Sequence, residues 1–167
     1  ALAAVPALER RLLVTGDAEA AALAKPAGFA VMPEPEPVGY RSAAQAAMAQ
    51  LAADGVAAAL CLPADLPLLE AADVEALIAA LDGGPAAVLA PSRDEGGTNA
   101  VGLAPPDLMD LRFGPDSFHV HERQAEAAGV HHQRVDAAEA VVERSAHPVD
   151  TVEIGQVHGH QGHGAAR

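Results

Sequence analysis

The sequence predicts an α/β protein built on a mostly parallel sheet, and three observations support this prediction. Short apolar runs alternate with alanine-rich segments along most of the 167 residues. Two of the runs, Ala57–Leu62 and Ala86–Ala90, are continuously apolar, which is typical of strands covered on both faces. Glycine, proline and aspartate lie between the runs, where turns are expected. Strands that alternate with helices in this way form parallel sheets.

The first part of the chain divides into short elements. Residues 1–8 have the character of the end of a helix, and Arg11–Thr15 is an apolar strand that ends at a Gly-Asp pair. The elements predicted next are the helix Ala18–Ala24, the strand Phe29–Met32, the helix Ser42–Leu51 and the strand Ala57–Leu62. Ser42 is predicted to cap its helix, because a serine hydroxyl accepts hydrogen bonds from the N–H groups of the first turn.

The second part continues the alternation. Its predicted elements are the helix Ala71–Leu81, the strands Ala86–Ala90 and Ala100–Leu103, the helix Ser117–Ala128 and the strand His131–Val135. We predict one domain over residues 1–144. The remainder, 145–167, is predicted to be a disordered tail, although a tract of this kind can also bind transition metals. Its glycine-interleaved histidines are His147, His158, His160 and His163.

Composition and charge exclude several classes of partner. The net charge of −13 argues against nucleic acid and anionic membrane surfaces as partners. The lone Cys61 permits no disulfide within the chain and is predicted to be a buried structural thiol. The sequence has no apolar run of about 18 residues and no signal peptide, so we expect a cytoplasmic protein. The oligomeric state is not revealed, and a homodimer stays open.

Two polar, glycine-bearing loops are the first candidates for a functional site. The stretch Pro91–Ala100 contains Gly96, Gly97 and Thr98, and Gly114–Ser117 follows it. Backbone N–H groups at glycine turns and helix N-termini bind anions, and the Thr and Ser hydroxyls add donors. Two such loops on one rim would hold a small molecule with two negative charges, such as a phosphorylated acid.

Asp65 lies between prolines directly after the buried strand Ala57–Leu62. A single aspartate at a strand end is often a turn former or a helix cap. The alternative is a magnesium ligand, because Mg²⁺ is usually held by one or two carboxylates together with substrate phosphates. In nucleotidyl transfer, such an ion neutralises charge that develops on the phosphate oxygens.

Three motifs in order resemble one enzyme family. They are Pro63–Pro67, Pro91–Ala100 and Phe113–His121, and Val14–Asp17 also fits. Together they resemble the CofC/FbiD guanylyltransferases of coenzyme F(420) biosynthesis, over residues 1 to about 136. The resemblance implies a three-layer α/β/α, MobA-like (nucleotide-diphospho-sugar transferase-like) nucleotidyltransferase fold. It also implies Mg²⁺-dependent transfer of GMP from GTP to phosphoenolpyruvate or 2-phospholactate, with release of pyrophosphate.

The resemblance assigns roles residue by residue. Thr98, Gly114 and Ser117 would hold the phosphate and carboxylate of the acceptor, with Gly97 and Asn99 beside them. Asp65 would bind Mg²⁺. Apart from the resemblance, Arg93 is the best candidate for a cation near the triphosphate. The acceptor phosphate is itself the nucleophile, so no general base is required. Each role has a purely structural alternative. Gly96 and Gly97 could serve merely to form a turn, Asn99 merely to bond the backbone, and Ser117 merely to cap its helix. His121 could equally pack on the surface or contact the ligand.

The sequence departs from the family pattern in three places. About forty residues of the pattern, with the first strand and the loop that cradles the nucleotide phosphates, have no counterpart here. Gly39–Arg41 replaces a Gly-Leu-Asn, and the acidic C-terminal motif is matched only loosely by Pro148–Glu153. Two alternatives therefore stay open: another MobA-like nucleotidyltransferase, such as a molybdenum-cofactor enzyme, and a phospho-ligand-binding module without turnover.

Overall fold

The computed structural model describes residues 2–34, 39–64, 66, 69–81, 83–93, 96–135 and 149–154. The strands in these residues are β1 (Leu8–Thr15), β2 (Ala30–Pro33), β3 (Ala59–Pro63), β4 (Ala86–Pro91), β5 (Thr98–Ala104), β6 (His131–Arg134) and β7 (Val149–Ile154). The helices are α1 (Ala18–Ala24), α2 (Tyr40–Ala53), α3 (Ala71–Ala79) and α4 (Ser117–Ala127). None of these helices is long and apolar enough to cross a membrane.

The strands form one sheet in the order β2-β1-β7-β3-β5-β4-β6. Only β5 runs antiparallel to its neighbours β3 and β4, and the other adjacent strands are parallel. The predicted α/β class with a mostly parallel sheet is confirmed. The predicted α1 is found at its predicted bounds, and the other helices and strands between Arg11 and Val135 differ from prediction by a few residues at their ends.

Helices cover both faces of the sheet, which gives three layers. Alternate residues of β3 divide between two apolar clusters: Ala59 and Cys61 pack with α2 and α4, while Leu60 and Leu62 pack with α3. Both faces of this strand are therefore buried, which explains its continuous apolar run. Cys61 is fully buried as predicted, and burial raises the pKa of its thiol to about 12.

The predicted cap of α2 is wrong, and the alternative in which Ser117 caps α4 is not found either. The helix α2 begins after Gly39, whose φ of 90° lies in the region that favours glycine, and Ser42 is exposed within the first turn. The helix α4 begins after Asp116, which has φ of 59°, so Ser117 is the first residue of the helix. Its hydroxyl is then free to bond outside the helix.

The N-terminal helix expected over residues 1–8 is also not found. Leu2–Ala4 form a single 3-10 turn, and β1 begins at Leu8. The guanidinium of Arg11 donates to the carbonyl oxygens of Leu2 and Val5, at 2.9 and 3.0 Å. The Arg11 side chain thus connects the N-terminal segment to β1. The carbonyl groups of Leu2 and Val5 therefore have hydrogen-bond partners although the segment forms no α-helix.

The strand β7 lies in the part of the chain that was predicted to be a disordered tail. It pairs with β1 on one side and with β3 on the other, so the prediction of disorder is wrong for Val149–Ile154. β-branched Val, Thr and Ile make up most of these six residues, and such residues favour strands. The rest of 145–167, with all four histidines named above, lies outside the described residues. The division into a domain and a tail otherwise stays a prediction.

Gly102 in β5 leaves no room for a side chain. A Cβ atom at this position would lie 2.7 Å from Leu60 Cδ2 and 3.0 Å from Leu81 Cδ1. We expect Gly102→Val to lower the free energy of unfolding by about 1–3 kcal/mol, because extra methyl groups overpack the core. Urea unfolding followed by circular dichroism measures this change. Ala57→Val, at an exposed position, is the control, and equal effects of the two substitutions would contradict the prediction.

Candidate functional site

The candidate loops meet at one edge of the sheet. Pro91 at the end of β4 is paired with Thr98 at the start of β5, which brings the intervening glycine loop to the carboxyl end of β4. The parallel strand β3 ends at the same edge with Pro63, two residues before Asp65 in the sequence. In open α/β sheets, ligands bind outside the carboxyl ends of the strands.

A β-bulge at Asn99 directs the Thr98 side chain. Ala90 pairs with Ala100 and Pro91 with Thr98, so Asn99 is the extra residue in the ladder. Along β5, the even-numbered Ala100 and Ala104 belong to the cluster that includes α3. Thr98 instead bonds to side chains of α4, on the opposite face. The bulge therefore turns Thr98 away from α3 and toward α4.

Thr98, Ser117 and His121 form a buried, hydrogen-bonded group, which we call the hydroxyl cluster. Thr98 Oγ1 lies 2.9 Å from Ser117 Oγ and 3.1 Å from His121 Nδ1. The exposed fractions of the three residues are 8%, 1% and 0%. The structure thus brings together the two hydroxyls that the sequence predicts to bind the acceptor, and adds a histidine behind them.

A backbone amide determines the tautomer of His121. The N–H of Arg112 donates to His121 Nε2 at 2.8 Å, so this nitrogen must carry a lone pair. The hydrogen of the neutral imidazole is therefore on Nδ1, which donates to Thr98 Oγ1. Burial lowers the pKa of His121 to about 4. A second proton on Nε2 would also face the Arg112 amide hydrogen, so the ring is neutral at physiological pH.

This buried histidine makes stability depend on pH. The folded-state pKa of about 4 lies below the ordinary value of 6.5, so only the unfolded chain takes up this proton between those values. The stabilisation is complete above about pH 6.5 and is lost as the pH falls toward 4, by up to about 1.4 kcal/mol per pH unit. We expect the difference in free energy of unfolding between wild type and His121→Gln to become smaller as the pH falls. Urea unfolding at pH 7, 5.5 and 4.5 measures this difference. Parallel pH profiles would contradict this prediction.

Aromatic packing holds the segment before α4. The rings of Phe113 and His121 meet edge to face with centroids 5.6 Å apart, and Tyr40 meets Phe113 in the same way at 4.6 Å. The side chain of Gln45 accepts a hydrogen bond from the N–H of Leu111 at 2.7 Å. The start of α2 therefore supports the loop that places the Arg112 amide against His121.

The glycine loops use some of the N–H groups that were expected to bind an anion. The N–H of Gly97 donates to Ser92 Oγ at 2.7 Å, and a Cβ on Gly97 would lie 2.8 Å from that oxygen. The N–H of Ser117 donates to the carbonyl of Gly114, whose φ of 129° requires glycine. Gly97 and Gly114 thus shape the two loops.

The other predicted site residues are less closely connected to the cluster. Arg93 is exposed in the turn after β4, and the interior of that loop, 94–95, lies outside the described residues. Asp65 also lies outside them. Within the described residues, no group of three or more His, Cys, Asp or Glu side chains could hold a metal ion.

Sequence reasoning missed the role of His121 in the cluster. It left surface packing and ligand contact as equal alternatives, whereas the ring is fully buried and bonds to protein at both nitrogens. One signal was available: Ser117 and His121 are four residues apart, so they lie on the same face of a helix. The Arg112 amide could not have been found, because it approaches only through the folded loop.

The fold and the loops define a three-layer α/β/α domain with buried hydroxyl donors at the carboxyl edge of its sheet. Residues 1–145 match the MobA-like NTP transferase domain, and the chain belongs to this family. The predicted MobA-like fold is therefore confirmed.

Curated relatives confirm the resemblance to the guanylyltransferase family. The chain is 40% identical over 123 residues to the phosphoenolpyruvate guanylyltransferase of Rubrobacter xylanophilus, which covers 74% of this chain and 60% of the relative. The enzyme of the same name from Conexibacter woesei is 34% identical over 137 residues, or 78% and 59% of the two chains. The 3-phospho-D-glycerate guanylyltransferase of Phenylobacterium zucineum is 33% identical over 149 residues, or 89% and 67%. The chain thus spans about 60% of the length of the first two relatives.

Proposed function

We propose that this chain carries the acceptor site of a guanylyltransferase in coenzyme F(420) biosynthesis. The enzyme transfers GMP from GTP to a phosphorylated three-carbon acid, either phosphoenolpyruvate or 2-phospho-L-lactate, and releases pyrophosphate. The observation that supports the proposal is the pair of buried hydroxyls, Thr98 and Ser117, at the loop edge of a domain whose relatives are named guanylyltransferases. The relative named for 3-phospho-D-glycerate adds a third acceptor of the same chemical class.

In this reaction, a phosphate oxygen of the acceptor attacks the α-phosphorus of GTP. One P–O bond forms, the bond between the α-phosphorus and its bridging oxygen breaks, and pyrophosphate leaves with the electron pair. The attacking oxygen is already anionic, so no residue has to remove a proton. The work of this chain is to orient the acceptor, and hydrogen bonds from hydroxyls to an anion are stronger where water is excluded.

Mg²⁺ and a cation near the triphosphate are also part of the proposal. Asp65 supplies an oxygen ligand of the type that Mg²⁺ prefers, and in the sequence it comes two residues after Pro63, the last residue of β3. When bound, the ion supplies charge neutralisation at the phosphates. Arg93, exposed in the turn after β4, is the candidate cation at the leaving pyrophosphate.

The alternatives differ in what they would bind or release. A molybdenum-cofactor enzyme of the same fold is not favoured, because the relatives described above are guanylyltransferases. A phospho-ligand-binding module without turnover would bind the acceptor and release nothing. The homodimer and the cytoplasmic location stay predictions from the sequence.

Pyrophosphate release tests the proposed function. The chain alone, and the chain joined to the N-terminal segment that the family pattern places before it, would be mixed with GTP, Mg²⁺ and each of the three acceptors. We expect the joined chain to release pyrophosphate with GTP and one acceptor, and to do so far more slowly with ATP or CTP. If the folded, joined chain binds an acceptor but releases no pyrophosphate, the binding-module alternative is correct.

A further inference from the structure

The hydroxyl cluster has one hydrogen more than its internal bonds use. Its three donors are the Nδ1–H of His121 and the hydroxyls of Thr98 and Ser117. His121 donates to Thr98, and Thr98 and Ser117 share one hydrogen between them. One hydroxyl hydrogen is therefore left over by the bonds within the cluster.

The direction of the chain of bonds determines which hydroxyl keeps that hydrogen. If Thr98 accepts from His121 and donates to Ser117, the two hydrogen bonds run in the same direction through Thr98 Oγ1, and bonds arranged in this way strengthen one another. Ser117 then keeps the hydroxyl hydrogen that the bonds within the cluster do not use. With the hydrogen on Nε2 instead, Nδ1 of His121 would accept a hydrogen bond from Thr98. The direction of donation between Thr98 and Ser117 would then no longer be determined by His121.

We propose that His121 is a positioning residue: by donating from Nδ1 to Thr98, it directs the Ser117 hydroxyl hydrogen toward the anionic acceptor. This inference rests on the proposed function, because it names a determinant of the same acceptor site. His121 does not touch the acceptor, since both of its ring nitrogens are bonded to protein. It acts through Thr98, and the Arg112 amide keeps it in the required tautomer.

Two substitutions separate the two ring nitrogens. In His121→Asn, the side-chain amide can occupy the place of Nδ1 and still donate to Thr98. In His121→Gln, the side-chain oxygen can reach the place of Nε2 and accept from the Arg112 amide, but the donor to Thr98 is lost. His119→Gln is the control, because His119 is exposed on the same helix and pairs with Glu122 at 3.0 Å.

Calorimetric titration of the chain with phosphoenolpyruvate compares the variants. We expect His121→Gln to raise the Kd about 5- to 10-fold, the equivalent of one lost hydrogen bond, and His121→Asn to stay within about 2-fold of wild type. If His121 had a purely structural role, the Kd values of the variants would instead follow their free energies of unfolding in urea. If wild type binds but Gln and Asn behave alike, the inference is wrong while the proposed function stands. If the folded wild type binds none of the three acceptors, the proposed function fails and the inference fails with it.

The imidazole tautomer provides a second test that needs no substitution. In ¹⁵N NMR spectra of the wild-type chain at pH 7, we expect a protonated Nδ1 and a bare Nε2 for His121. Its Nδ1 proton should exchange slowly with water because the ring is fully buried. A protonated Nε2 would overturn the inference even if every variant failed to fold.

Discussion

Replacing Asp65 with asparagine should lower pyrophosphate release by the joined chain by about 100-fold or more, with little change in stability. Charge neutralisation by a bound metal ion stabilises the transition state by several kcal/mol, and asparagine is a much weaker ligand than a carboxylate. In the sequence, Asp65 comes two residues after Pro63, and β3 ends with Pro63 at the edge of the sheet where β4 ends and β5 begins. Initial rates with GTP, phosphoenolpyruvate and varied Mg²⁺ measure the effect.

Asp107→Asn is the matched control for this substitution. Asp107 is exposed in the loop after β5, and because β5 runs antiparallel, this loop lies at the opposite edge of the sheet. Its rate should equal that of wild type. An Asp65→Asn variant with the wild-type rate and the wild-type dependence on Mg²⁺ would remove Asp65 from the metal site.

The second large effect is expected at Ser117. Ser117→Ala should weaken acceptor binding by about 1.5–3 kcal/mol, or about 10- to 150-fold, because it removes a hydrogen bond to a charged group. The KM for the acceptor should rise while the KM for GTP stays constant. The free energy of unfolding should fall by only about 1 kcal/mol, since the alanine leaves Thr98 bonded to His121.

Ser42→Ala tests whether any serine at a helix start behaves in this way. Ser42 is exposed in the first turn of α2, whereas Ser117 is buried in the first turn of α4. We expect the Ser42 variant to match wild type in both KM values. A Ser117→Ala variant that loses stability but keeps the wild-type KM for the acceptor would show that the hydroxyl only supports the fold.

Much of the fold could be predicted from the sequence because its signals are local. The runs Ala57–Leu62 and Ala86–Ala90 are continuously apolar, and most of their residues form β3 and β4, which are covered on both faces. The strand Val149–Ile154 was missed because it gains its partners only from β1 and β3, which are distant in sequence. Ser42 has the right residue type for a cap, but the conformation of Gly39 starts the helix earlier.

The sequence predicts which residues form the candidate site, but it does not predict the hydrogen bonds between them. The motifs identified Thr98 and Ser117, and the structure places their hydroxyls 2.9 Å apart. The bulge at Asn99, which turns Thr98 toward α4, depends on the pairing of β4 with β5 and has no local signature. The contact between Arg112 and His121 likewise exists only after the loop folds against α2.

Calorimetric titration of this chain with phosphoenolpyruvate, with and without Mg²⁺, tests the central claim most directly. The claim is that Thr98 and Ser117 bind a phosphorylated acid. We predict saturable binding to the wild-type chain that is lost when Thr98→Ala and Ser117→Ala are combined. A folded wild-type chain that binds neither phosphoenolpyruvate, 2-phospho-L-lactate nor 3-phospho-D-glycerate would contradict the claim and leave the hydroxyl cluster with a structural role alone.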